Sequence, residues 1–168
     1  MNRSLLLLIP AIVLLSATAP AHAAALPIGL DVAAGAGGSG SFDKTNVGFD
    51  LHLRAELRLG FFAVGASLKE RPPLPKITPA NRLMVYGDLG FNIPLPKSRI
   101  IVRGGVGGGN QSAGSGPLFG LHETAGFHLF AVPIVGIGFE VDFDQTLVLD
   151  AMTWDHGVGG RVMLLIRI

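Results

Sequence analysis

The sequence predicts an all-β fold, an eight-stranded antiparallel up-and-down transmembrane β-barrel. Three observations carry that prediction: an apolar leader, repeated alternation of apolar and polar residues with a period of two, and connections that are short and long by turns. The clearest alternation runs over 46–60. Val47, Phe49, Leu51, Leu53, Ala55, Leu57 and Leu59 point one way; Gly48, Asp50, His52, Arg54, Glu56, Arg58 and Gly60 point the other. Successive side chains of a strand fall on opposite faces, so this segment has one apolar face and one charged face. Its span from Phe49 to Leu59 fits the roughly 9–11 residues of a tilted membrane-crossing strand.

The other strands follow in chain order. The first covers 26–37, with Ile28, Leu30, Val32 and Ala34 outward and Asp31 inward; the Gly/Ser stretch 38–44 is a loop. The second is the segment above, ending in a tight turn at 58–61. The third ends near Lys69, with Phe62, Val64, Ala66 and Leu68 outward. Pro72, Pro73, Pro75 and Pro79 keep 70–81 out of any ladder, so it is a loop. The fourth strand covers 82–92: Leu83, Val85, Leu89 and Phe91 outward, Met84, Tyr86, Asp88 and Asn92 inward. Pro94 and Pro96 mark a short turn. The fifth covers 99–109, with Ile100, Val102 and Val106 outward and Arg103 inward. A loop at 110–117 leads to the sixth strand, 119–131, with Phe127 and Leu129 outward and His122 and His128 inward. Pro133 makes the next turn. The seventh strand, 134–144, sets Val135, Ile137, Phe139, Val141 and Phe143 outward against Gly136, Gly138, Glu140 and Asp142. A loop is expected at 146–155, although Leu147, Val148 and Leu149 are apolar for a loop. The eighth strand, 156–168, sets Val162, Leu164, Ile166 and Ile168 outward and Arg161 and Arg167 inward.

Residues 1–23 read as a secretory signal peptide. Arg3 is the only charge there, an apolar core runs over 5–15, and Ala21-His22-Ala23 offers the small residues of a cleavage site. The core is too short for a spanning helix. Residues 24–168 then form one domain. The chain carries 13 Lys and Arg against 12 Asp and Glu, so loss of Arg3 leaves the charges balanced. That balance gives no reason to expect a nucleic-acid partner. There is no cysteine, hence no disulfide, no thiolate zinc site and no lipid-anchoring cysteine. Beyond the leader no run of 18 apolar residues exists, which excludes a helical membrane protein. Many of the 24 glycines lie inside the alternating segments, where they suit barrel corners or a crowded lumen.

In these features the chain resembles the small eight-stranded outer-membrane barrels, such as the membrane domain of OmpA and OmpX. The resemblance covers residues 24–168 and is one of architecture: the leader, the alternation, long connections on one side only, and the closing strand 160–168. That strand looks like the C-terminal segment that barrel-assembly machinery recognises in the family. The family usually ends in Phe or Trp; this chain ends in Ile168. The resemblance implies a bacterial outer-membrane location, membrane lipids and the assembly machinery as partners, and a monomer.

The inward set is charged: Asp31, Asp50, Glu56, Asp88, Glu140 and Asp142 against Arg54, Arg58, Arg103, Arg161 and Arg167. An eight-stranded barrel is only wide enough for its own side chains. Charges confined there must pair, and the planar guanidinium grips carboxylates at two points. A salt-bridged plug that fixes the strands is the expected role; a selective pore would carry an excess of one sign. His52, His122, His128 and His156 are expected as inward polar packing. His122 and His128 lie about 20 Å apart along an extended strand, too far for one metal. The glycine pattern at 35–40 matches a dinucleotide fingerprint by letter but is not followed by a helix. Asp155 beside His156 could orient a base, yet no serine lies two residues on and no nucleophile elbow is present. Catalysis and cofactors are therefore not expected. The functional expectation is a structural or loop-mediated recognition role. The alternatives are a lipid-modifying barrel enzyme acting through His156, and a soluble periplasmic barrel whose apolar face lines a ligand cavity. Trp154 and Tyr86 are single residues of their kinds, so a thin aromatic girdle built on phenylalanine is expected.

Overall fold

The computed structural model describes residues 28–42, 47–72, 81–112 and 116–168. The expected leader and most of the proline-rich loop lie outside them. Eight strands are present: β1 (Gly29–Ser41), β2 (Val47–Leu59), β3 (Phe62–Arg71), β4 (Arg82–Leu95), β5 (Ser98–Gln111), β6 (Pro117–Val132), β7 (Val135–Val148) and β8 (Thr153–Arg167). Each pairs antiparallel with its chain neighbour, and β8 pairs with β1 to close the barrel. The closing register sets Asp31 opposite Arg167 and Gly37 opposite Arg161. Closure removes both sheet edges, so every strand finds partners on both sides.

The facing follows the alternation. Along β2 each odd-numbered residue from Val47 to Leu59 is exposed, and each even-numbered one from Gly48 to Glu56 is buried. Most large apolar residues of the other strands are likewise outward: Leu89 is 68% exposed, while Asp88 beside it is 4% exposed. The exterior is therefore apolar and the interior polar, the inverse of a soluble barrel with an apolar cavity.

The turns of one end are tight. Gly60 takes a left-handed φ of 67° between β2 and β3, and Lys97 takes 59° between β4 and β5. Pro94, expected in a turn, instead lies within β4 opposite Arg99. The Asn92 N–H reaches back toward β3, to the Phe61 carbonyl at 2.7 Å. Residue 94 has the same parity, and β3 has already begun its turn there, so proline sacrifices no ladder bond.

The connections at the other end are shorter than expected because the strands run on. The segment 146–155 is mostly strand: Thr146 pairs with Asp155, Leu147 with Trp154 and Val148 with Thr153, leaving only 149–152 as the connection. Here the apolar residues find their use. Val148 turns inward and packs on Met84, Tyr86 and Leu118, which together form an apolar layer near that end of the lumen. A second cluster of Ala33, Phe130, Met163 and Leu165 lies toward the opposite end. Charged side chains lie between the two and at both mouths.

Candidate functional site

The lumen is the site, and it is built from alternate residues of all eight strands. Its centre is Glu140 on β7. Arg54 on β2 holds it at two points, Nη1 to Oε2 at 3.0 Å and Nη2 to Oε1 at 2.7 Å. Arg161 on β8 adds a bond from Nε to Oε2 at 3.1 Å, and His128 Nε2 lies 2.8 Å from Oε1. Arg99 Nε donates to His128 Nδ1 at 3.0 Å, so that nitrogen is bare and the ring proton sits on Nε2, facing Glu140. Below this lies a second fork: Arg103 grips Glu56 from Nε at 2.8 Å and Nη2 at 2.7 Å. Arg54 Nε is also 3.4 Å from Glu56, which links the two forks. These are charge-assisted bidentate bonds, the strong class.

Toward the long-connection end, Lys69 on β3 sits among Asp142 at 2.6 Å, Asp144, and Asp50 at 3.5 Å. Arg71 takes the other face of Asp50 at 2.8 Å. Arg82 and Ser41 both bond Asp155, at 3.2 and 2.8 Å. Asp88 bonds His122 Nε2 at 2.7 Å, with the Tyr86 ring tilted against the imidazole at 4.4 Å. At the tight-turn end Asp31 alone faces Arg58 at 3.4 Å, Arg167 at 3.7 Å and Arg99.

The inward residues named from sequence thus fall into distinct groups. Arg54, Glu56, Arg103, Glu140, Asp142 and Arg161 meet in one connected network. Asp50 joins it only through Lys69. Asp88 is bonded to a histidine, not an arginine. Asp31, Arg58 and Arg167 gather at one mouth and join that network only through Arg99. Sequence reasoning missed Lys69, Arg71, Arg99 and Asp144. The signal was available: Lys69, Arg99 and Asp144 are end residues of the strands expected from sequence and share the parity of the inward positions, and Arg71 lies two residues past Lys69.

Close approach in the lumen accounts for some of the glycines. A methyl group at Gly105 would strike Asp88 and His122, and one at Gly138 would lie 2.7 Å from His128. By contrast, a Cβ on outward Gly87 would meet nothing nearer than 3.9 Å.

His156 departs from the inward packing expected of it. It lies on the outer face, its ring stacked 6.4 Å from Phe143 and 6.3 Å from Trp154. Phe42 approaches Phe143 at 6.0 Å. These four rings mark a belt near the long-connection end, and Phe62 with Phe91, 5.0 Å apart, marks another at the tight-turn end. Asp155 points inward to Arg82, so it does not orient His156. Glu123 and Gln145, both outward by parity, border Phe143 on the neighbouring and own strand at the level of the first belt. Among the described residues no cluster of three or more metal-ligating side chains occurs.

Solved structures share this architecture. NspA, a Neisserial surface protein, matches 86% of this chain and 98% of its own at a TM-score of 0.56 and 14% identity. The N-terminal β-barrel domain of Pseudomonas aeruginosa OprF matches 82% and 97%, with TM-score 0.58 and 13% identity. A de novo designed transmembrane β-barrel matches 85% and 98%, with TM-score 0.54 and 12% identity. At these identities the likeness is one of fold, that of the small eight-stranded outer-membrane barrels. No protein-family model matches the chain, and no curated protein matches its sequence.

Proposed function

We propose that the protein is a bacterial outer-membrane barrel that spans the bilayer as a sealed scaffold. It is exported through a cleaved leader and inserted by barrel-assembly machinery that reads β8. Its role is structural, or recognition through the long connections, which face outward from the cell. One observation carries this reading: a closed sheet whose exterior is predominantly apolar and nearly all of whose strand charges are turned inward. Only closure satisfies the backbone of a sheet in hydrocarbon. An apolar layer about 25 Å tall flanked by aromatic girdles is what lipid requires.

The reading includes no catalysis and no wide pore. The centre of the lumen is occupied: Ile101, His128 and Met163 are each 0% exposed. A lipid-modifying enzyme acting through His156 finds no support, since Asp155 and His156 lie on opposite faces of β8. A soluble carrier would need the apolar faces to line its cavity. Fractionation of cells expressing the full chain tests the proposal. The protein is expected in the detergent-extracted outer membrane, with gel migration that shifts on boiling. Recovery in the periplasmic extract would overturn it.

A further inference from the structure

The tight-turn mouth of the lumen is electrically unbalanced. Three guanidiniums, those of Arg58, Arg99 and Arg167, converge on the single carboxylate of Asp31. Asp31 accepts a hydrogen bond from Arg99 alone, at Oδ2; its Oδ1 accepts none, and one carboxylate still faces three positive charges. Among the described residues Arg58 and Arg167 donate no hydrogen bond; both stand off Asp31, at 3.4 and 3.7 Å, and the Nε of each is unpartnered. Arg99 gains a more distant contact with Glu56 at 3.7 Å, but Glu56 is already held by Arg103. Ile168, whose backbone oxygen accepts the Leu30 N–H, makes no ion pair with these arginines among the described residues.

A cavity of about 440 Å³ opens against this cluster. Lys97 from the β4–β5 turn adds another cation to its lining. The rest of the wall is largely apolar: Pro94 and Leu95 on one side, Val132 and Pro133 on the other. Phe130 forms a platform, with the Arg167 guanidinium 3.8 Å and that of Arg99 5.3 Å from its ring centre. The volume falls in the range of small-molecule sites, roughly 300–1,000 Å³. Cations with unspent donors at one side and an apolar wall at the other select an amphiphilic anion. Guanidiniums at a wet rim pair readily with carboxylate because they are weakly hydrated and present a planar fork.

We infer that this mouth is a binding site for a small organic anion, a carboxylate carried on an apolar body, with Arg58 and Arg167 holding the carboxylate and Phe130 and the two turns covering the body. The inference goes beyond the scaffold reading and does not depend on which way the barrel is oriented.

Sodium benzoate, added to the full chain in lipid nanodiscs, is the probe. Arginine Nε–H resonances and Phe130 ring signals report occupancy. Saturable shifts are expected at Arg58, Arg99 and Arg167, and none at Arg82 near the opposite end. Benzyl alcohol, the neutral counterpart, should leave all of them unmoved. Arg167→Gln should weaken the benzoate midpoint by about tenfold, the loss of one charged hydrogen bond. Arg58→Gln should do the same if Arg167→Gln fails to fold, and Arg82→Gln should change nothing. Absence of saturation, equal response to benzyl alcohol, or a midpoint indifferent to both mouth substitutions would each overturn the inference.

Discussion

The centre of the lumen and its tight-turn mouth use the same residue types in different proportions. At the centre, Glu140 and Glu56 are each held by an arginine in two-point contact, and Glu140 gathers Arg54, Arg161 and His128 around oxygens that water does not reach. At the mouth, three arginines share Asp31, and two of them make only distant contact. The difference tracks water. An unpaired ion costs several kcal/mol in a dry interior. A side chain such as Arg167, 29% exposed beside an open cavity, keeps part of its hydration. Burial therefore enforces pairing at the centre and leaves the mouth free to hold surplus charge.

The sharpest way to break that contrast is to remove the acceptor at the centre. Glu140→Gln deprives two buried guanidiniums of their closest carboxylate and should destabilise the folded barrel by about 3–5 kcal/mol, read from urea unfolding in lipid vesicles. Next in size is a change of the outer surface. Phe139→Arg or Leu51→Arg places a cation where lipid tails are expected, and should cost about 2–4 kcal/mol in the same measurement. Crowding comes third. Gly138→Ala drives a methyl into His128, which is pinned between Arg99 and Glu140, and should cost about 1–3 kcal/mol. At the mouth, Arg167→Gln removes one of three cations facing a single carboxylate, and its effect on stability should stay within about 1 kcal/mol. Smallest is the outward glycine: Gly87→Ala meets open space and should stabilise by about 0.4–1 kcal/mol through the unfolded chain. If Arg167→Gln proved as costly as Glu140→Gln, the distinction between centre and mouth would collapse.

Much of this molecule is legible in its sequence because a barrel writes its facing into every second residue. Parity alone identifies Arg54, Glu56, Arg103, Glu140 and Arg161 as inward. It says nothing of who meets whom. Arg54 and Glu140 stand 86 positions apart, and their pairing depends on how far each strand is staggered around the closed cylinder. Strand ends were the other loss. Proline at 94 and the polar residues at 145–155 look like turn formers, and only the neighbouring strands reveal that the ladder continues through them. That is why Arg71 lies past the expected end of its strand, and why the apolar run 147–149 is unaccountable as a loop; Lys69, Arg99 and Asp144, at strand ends, carry the inward parity but nothing local that says they meet a partner. The aromatic belt was equally hidden: Phe42, Phe143, Trp154 and His156 come from three strand regions that meet only when β8 closes between β7 and β1.

The absence of native cysteine makes one test direct. Single cysteines at Leu53, Val85, Phe139 and Leu164, labelled with an environment-sensitive fluorophore in vesicles, report what surrounds the apolar exterior. Quenching by lipids brominated in their acyl chains, with protection from a water-soluble quencher, is the predicted result at all four positions. Quenching from water with no response to brominated lipid would contradict the account.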